Sequence, residues 1–406
     1  MYQNAAVLAV FLLLYSAIAG RVERSWISGP IVFTAAGLVL GPFGLNAVHL
    51  DVAAEGLRLL AEATLAMVLF TDAANADLSV VRRNVGMPER LLLIGLPLSI
   101  LLGFAVAWLL FPGLGVLELA LLATMLAPTD AALGKPVVTN PAVPAATRES
   151  LNVESGLNDG ICVPIVVILL GLAIGTQIEG DAASHVARVV AEAIGIGAAA
   201  GAVLPVAAAL LLRWSKARNW GSPGWSEVPA VALAGACFAV AQALGGSGFI
   251  ACFVGGLIFG RLVRQDKHAV LRGAENTGET LALLTWMLFG TLVVGQLFGK
   301  LTLPVVLYGV LSLTLIRMLP VFLCLIGTPI GTGERLFIGW FGPRGLASIV
   351  FAIMVFDADL PGHTTLMPAV AFTVLLSVIA HGITANPLTR ATAGRSGAIP
   401  KYAKGP

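Results

Sequence analysis

Between Asn152 and Gly160 the chain reads N-V-E-S-G-L-N-D-G, and Glu154, Ser155, Asn158 and Asp159 bring two carboxylates, a hydroxyl and an amide close together. On a helix, Glu154 and Asn158 share one face as an i,i+4 pair. Ser155 and Asp159 share the adjacent face. The result is a contiguous oxygen-rich patch. A second group precedes it, Ala127-Pro128-Thr129-Asp130. Proline removes a backbone donor, so a helix breaks there and frees carbonyls, such as that of Thr129, to ligate a cation. Hard monovalent cations suit an oxygen cage of this kind, and the sequence offers no imidazole or thiolate cluster for a transition metal. Arg317 and Arg344 are the cations available to compensate the acids. A buried Glu is tolerable beside a hydrogen-bonded Arg. Arg344, within Phe341-Gly342-Pro343-Arg344-Gly345, also stands where the dipole ends of a broken helix need balancing.

These groups must be positioned by apolar helices. The 406 residues are 58% hydrophobic and only 11% charged, with a mean hydropathy of +0.92, far from soluble globular composition. Apolar runs fall at 5–20, 26–45, 57–71, 91–111, 117–137, 151–174, 189–212, 228–244, 249–263, 280–298, 303–326, 336–356 and 366–384. Most have the length that crosses a bilayer as helix, so the chain is expected to be an all-α polytopic membrane protein with about 13 spans. Alternating segments of β-barrel type are absent. A net charge of +2 is no nucleic-acid footprint. Cys162, Cys237, Cys252 and Cys324 lie singly in apolar segments and read as small core residues.

Charge alternates along the loops. Arg21 and Arg24, Arg82, Arg83 and Arg90, Lys135 and Arg148, and Arg213, Lys216 and Arg218 fall on one side. So do Arg261, Arg264, Lys267 and Arg272, then Arg335, then Arg390, Arg395, Lys401 and Lys404. The other side holds Asp51, Glu179, Asp181, Asp357 and Asp359, with only Arg58, Arg188 and Lys300 as cations. The positive-inside rule then puts the C-terminus in the cytoplasm and, with an odd span count, the N-terminus outside. No Lys or Arg precedes the first apolar run, so it is expected to be a span and not a cleaved signal peptide. Residues 1–386 form the expected membrane domain and 387–406 a short cytoplasmic tail.

The fifth and twelfth spans carry the two breaks. An odd offset makes those helices cross in opposite directions, the pattern of inverted repeats formed by spans 1–6 and 8–13, with span 7 as the link. Matched discontinuous helices point to a transporter's binding site. Two ordinary proline kinks are the plainer alternative. The acid and base beside the breaks favour the former, because ionisable groups in mid-membrane are costly and mark function. Asp72, at the end of the third span, reads as an interfacial acid. Glu62 and Glu192 read as residues of an outer funnel, and His381 as a packed helix residue. Asp130 reads either as a ligand or as a half-helix cap.

At these residues the chain resembles the monovalent cation:proton antiporter-1 family, in its NhaP-like branch with the animal sodium/proton exchangers. The matching pieces are Leu69-Phe70-Thr71-Asp72-Ala73, Ala127-Pro128-Thr129-Asp130 and Glu154-Ser155-Gly156-Leu157-Asn158-Asp159-Gly160. Arg317-Met318-Leu319-Pro320-Val321 and Gly339-Trp340-Phe341-Gly342-Pro343-Arg344-Gly345 complete the set. The resemblance implies the NhaA/NhaP-like antiporter fold, with a six-helix core moving against a dimerisation part, and a homodimer. It implies that Asp159 binds cation and proton in turn, with Asp130, the Thr129 backbone and Ser155 completing the site. It implies that Glu154 is held by an intramembrane Arg, Arg317 or else Arg344. Asn158 places the chain in the subgroup with Asn-Asp at this position; electrogenic relatives carry Asp there. No large regulatory tail follows, so regulation by one is not expected.

The expected function is secondary active exchange of Na⁺ or Li⁺ for H⁺ across the cell membrane, electroneutral and one for one. K⁺/H⁺ exchange is the alternative within the family. A non-transporting sensor would need an output domain, and a channel would need a continuous polar stripe. No catalytic group, enzyme activity or cofactor is expected. The ion and the proton are cargo, and the remaining partner is membrane lipid.

Overall fold

The computed structural model describes residues 2–23, 25, 27–47, 54–76, 86–130, 133–138, 140–141, 143–175, 182–220, 222–264, 267–297 and 299–395. Arg24, Asp51, Arg82, Arg83, Glu179, Asp181, Lys401 and Lys404 lie outside them. The described residues are helical with no strand, and every apolar run is helical over most of its length.

The first helices are α1 (Tyr2–Glu23), α2 (Gly29–Leu40), α3 (Ala54–Asn75), α4 (Met87–Leu110) and α5 (Val116–Met125). After a single turn at Lys135–Val138 come α6 (Ala145–Gly175), α7 (Ala182–Ala217), α8 (Val228–Ala243) and α9 (Gly248–Leu262). Then follows α10 (Lys267–Leu288), which continues as a π-helical turn at Phe289–Val294. The last are α11 (Leu303–Leu313), α12 (Leu315–Cys324), α13 (Thr332–Trp340), α14 (Leu346–Asp357) and α15 (His363–Arg395).

Both expected breaks are present. The fifth span stops at Met125 and resumes only as the turn at Lys135–Val138, and the twelfth divides into α13 and α14. A third discontinuity was not expected. At Thr314 (φ −104°, ψ −92°) the eleventh span divides into α11 and α12, three residues before Arg317. The last helix also outruns its apolar stretch. It continues through Pro387 to Arg395, so residues 387–395 extend a helix where a tail was expected.

In a membrane, helices associate through close packing, and small residues allow backbones to approach. Gly256 and Gly260, one turn apart on α9, face the carbonyls of Phe70 and Ala74 on α3; a Cβ at either would collide with that backbone. The crossing fixes the α3 end that carries Asp72. On α6, Gly156 lies against Asp72, with its Cβ position 3.5 Å from the Asp72 Cβ. Thus α3 packs closely against both α9 and α6.

Candidate functional site

Each break is closed by a charged residue from the other. Breaking α5 leaves the carbonyls of Ala127 and Pro128 without helical donors. The Arg344 guanidinium reaches them, with Nη1 2.7 Å from Ala127 O and 3.2 Å from Pro128 O. Breaking the twelfth span leaves the N-terminus of α14 open. Asp130 Oδ2 accepts from Leu346 N at 3.1 Å, and Asp130 N donates to Pro343 O at 2.8 Å. Both contacts also suit the dipoles, with a cation at a helix C-terminus and an anion at an N-terminus. Asp130 is therefore a cap, as one of its two sequence readings held: Oδ2 serves the opposite broken helix, and Oδ1 accepts from Leu133 N at 3.4 Å on its own side of the break. Gly345 is needed here because a Cβ would collide with the Asp130 carboxylate.

The second break is also tied to α15. Arg344 N donates to Ser377 Oγ at 2.7 Å, Ser377 Oγ lies 3.1 Å from His381 Nδ1, and His381 Nε2 lies 2.8 Å from Trp340 O. His381 Nδ1 also lies 2.9 Å from Ser377 O. A carbonyl only accepts, so a ring proton on Nε2 serves Trp340 and one on Nδ1 serves Ser377. His381 is a packed helix residue, as its sequence suggested, but it also holds the C-terminal end of α13 in place. That role was not visible in the sequence.

Glu154 and Arg317 are 1% and 2% exposed and form a bidentate pair, Nη1–Oε1 2.5 Å and Nη2–Oε2 2.8 Å. Fork-to-fork geometry of this kind makes a strong charge-assisted contact. The structure thus gives Glu154 to Arg317, and Arg344, the other candidate, to the carbonyls of the first break. The unexpected division at Thr314 lies one turn from Arg317, where α12 starts afresh.

One turn further along α6, the oxygen-rich patch meets the first break. Ser155 Oγ donates to Thr129 O at 2.6 Å, and Asn158 Nδ2 donates to Thr129 Oγ1 at 2.7 Å. These bonds hold Ser155 and Asn158 to Thr129, and Asp159 follows Asn158 on the same helix. Asn158 Oδ1 and Asp159 Oδ1 are buried there without a hydrogen-bond partner. Buried acceptors are nearly always satisfied. Two together call for a donor or a cation. Thr129, Asp130 and Ser155, with Phe341 and Pro343, line a cavity with room for about one water molecule, and neither Asn158 nor Asp159 is part of its wall. The Thr129 carbonyl keeps one lone pair beyond its bond from Ser155.

Asp72 is partly buried near the end of the third span. Helix α3 continues to Asn75 because Ala73 and Ala74 are buried in the packing. Asp72 lies in the last turn of α3, facing α6 at Gly156. The sequence carried one signal for this, the family match at Leu69-Phe70-Thr71-Asp72-Ala73. Glu62 and Glu192 are each engaged by an arginine one turn away, Arg58 at 2.7 Å and Arg188 at 2.8 Å. Arg58 also reaches Asp357 at the end of α14, at 3.0 Å.

Residues 7–391 match the sodium/hydrogen exchanger transmembrane family. The chain is 26% identical over 401 residues to the K⁺/H⁺ antiporter NhaP of Alkalimonas amylolytica, covering 95% of this chain and 67% of that one. It is 23% identical to the K⁺/H⁺ antiporter NhaP2 of Shewanella oneidensis, covering 89% and 62%. The chain thus spans about two thirds of the length of these relatives. Its fold is similar to the solved structure of the sodium proton antiporter MjNhaP1 from Methanocaldococcus jannaschii. The TM-score is 0.74 at 22% identity, covering 97% of this chain and 99% of that one.

Proposed function

The chain belongs to the sodium/hydrogen exchanger family, and from that premise we propose that it exchanges Na⁺ or Li⁺ for H⁺, one for one. What carries the proposal is the pair of buried acceptors without a donor, Asp159 Oδ1 and Asn158 Oδ1. A proton on Asp159 supplies a donor. A cation supplies a positive centre for both oxygens, with Ser155 Oγ and the Thr129 carbonyl as further ligands. Either one neutralises the carboxylate, and both cannot do so at once. Asp130, capping α14 beside the same cavity, adds negative charge that favours the loaded site. The bare carboxylate crosses poorly because its desolvation is costly. Proton and cation therefore replace one another as the site faces each side in turn.

The stoichiometry follows from the remaining charges. Glu154 is matched by Arg317, and Asn158 does not ionise. One cycling charge is left, so the exchange is electroneutral. The loop charges support insertion in the cell membrane with the N-terminus outside and the C-terminus in the cytoplasm. The family resemblance supports a homodimer. The role is then exchange of alkali cations, in the direction the gradients set, and control of cytoplasmic pH, with the ion as cargo and neither a cofactor nor an enzyme reaction involved.

K⁺/H⁺ exchange is a second reading, favoured by the activity named for the two bacterial relatives. The test is the purified full chain in liposomes that hold an imposed pH gradient and a pH-sensitive dye. Proton movement on adding Na⁺ or Li⁺ supports the first reading, and movement on adding K⁺ alone supports the second. No coupled movement with any of the three overturns antiport, and single-channel currents would mark a channel.

A further inference from the structure

Away from the ion site, the cation-rich end of the bundle holds a large cavity among the ends of α7, α8 and α9. Its described lining includes Arg213, Lys216, Arg261 and Arg264, together with Trp220 and Trp225, and contains no carboxylate. Cations at the C-terminal ends of α7 and α9 suit the dipoles of those helices. That accounts for their presence, but not for a cavity walled by four of them. The walls are held in place. Arg213 Nη2 donates to Leu262 O at 3.1 Å and joins the ends of α7 and α9. Arg218 stacks on Trp214 and Trp220, 4.8 Å and 5.8 Å from the ring centroids. Trp214 and Trp220 meet edge to face.

Trp220 and Trp225 are 63% and 69% exposed. Exposed tryptophan rings settle at the level of lipid headgroups. Along α7, immediately beside the cavity, Val203, Val206, Leu210 and Leu211 are exposed, an apolar strip suited to acyl chains. Cations above, tryptophans at the rim and aliphatic residues below follow the order of groups in a phospholipid. Basic pockets between helices at a membrane face bind anionic headgroups.

We infer that this cavity binds an anionic phospholipid, with its phosphate among Arg213, Arg261 and Arg264 and its chains along α7. Each basic residue near such a surface contributes enough that losing two weakens binding about 30-fold. Binding here is separate from the ion site, so its loss leaves the exchange machinery in place.

The experiment follows the melting temperature of the full chain in neutral detergent as phosphatidylglycerol, phosphatidylcholine or glycerol phosphate is added, while native mass spectrometry counts retained lipid. Phosphatidylglycerol is expected to stay bound and raise the melting temperature; the other two are not. The R261Q/R264Q variant is expected to need about 30-fold more phosphatidylglycerol for the same shift, and to melt with the unaltered protein when no lipid is present. Equal responses to the two lipids overturn the inference, as does an effect reproduced by glycerol phosphate, which would mark a free phosphate site. An unaltered lipid response in the double variant also overturns it. If that variant does not fold, the unaltered protein decides the matter. Choline chloride, which screens charge without supplying an alkali cation, must weaken the phosphatidylglycerol shift; an unchanged shift overturns the site.

Discussion

Asp159 is the group on which the proposed exchange turns, and two predictions test it. Asp159→Asn keeps the shape and removes the charge, so exchange is expected to vanish while the protein purifies folded with a near-normal melting temperature. Normal proton-coupled cation uptake by the variant would remove Asp159 from the role. Competition for one carboxylate also fixes the sign of the pH dependence. As pH falls, more cation is needed for half-maximal rate, by about tenfold per pH unit in the limiting range; a half-maximal concentration independent of pH would mean separate sites. Glu154 and Arg317 have a different part, since each neutralises the other in the interior. Glu154→Gln or Arg317→Gln strands a buried charge and is expected to cost about 3–5 kcal/mol, and the double variant less than the sum. Additive losses in denaturant unfolding would show that the pair does not act as one. These residues were legible in the sequence because a charge in an apolar helix is costly and stands out. Asp72 and His381 were less so. Sequence spacing places a side chain on a face of its own helix, but not the neighbour that face meets. Asp72 gains its position from Gly156 on α6, and His381 from the Trp340 carbonyl on α13.

At the scale of elements, the two broken helices are a single structural unit. Arg344 serves the carbonyls left by the first break and Asp130 the amides left by the second, so neither half is closed without the other. Gly345 sits at the contact, where a Cβ meets the Asp130 carboxylate. Gly345→Ala is expected to lower stability by about 1–3 kcal/mol, as overpacking does, and to reduce exchange more than that loss of folded protein explains. Wild-type rates per folded molecule would show that the crossing tolerates displacement. Both breaks were legible because proline and glycine interrupt apolar runs there. The division at Thr314 was not, since Leu303–Cys324 reads as one apolar stretch whose prolines, Pro304 and Pro320, both lie away from it. Nor was the reach of α15 to Arg395, because hydropathy falls where the helix leaves its apolar stretch while the backbone bonds continue.

Across the whole molecule, the interior charges decide how exchange responds to voltage. Glu154 cancels Arg317, while Arg344 and Asp130 each face the partial charge of a helix end. In the proposed cycle Asp159 is the carboxylate that carries the charge, and Asn158 beside it cannot add a second. A sodium ion crossing one way and a proton the other move no net charge. A potential of about 100 mV, which does about 2.3 kcal/mol of work on each elementary charge transferred, should leave the cycle almost untouched. The measurement is sodium-driven proton flux in liposomes at fixed pH, with potentials of either sign set by potassium and valinomycin. Potassium must first be shown to be a poor substrate, or the potential set with a different permeant ion. An unchanged equilibrium pH supports one-for-one exchange. A systematic shift with voltage rejects it and implies a second proton carrier. Asp72 is then the first residue to replace, because it faces α6 one turn from Asp159. Asp130 comes next, since losing its charge would also open the N-terminus of α14. Asn158→Asp is an informative companion but a weaker test, because a new acid so close to Thr129 and Ser155 can find a donor and stop cycling.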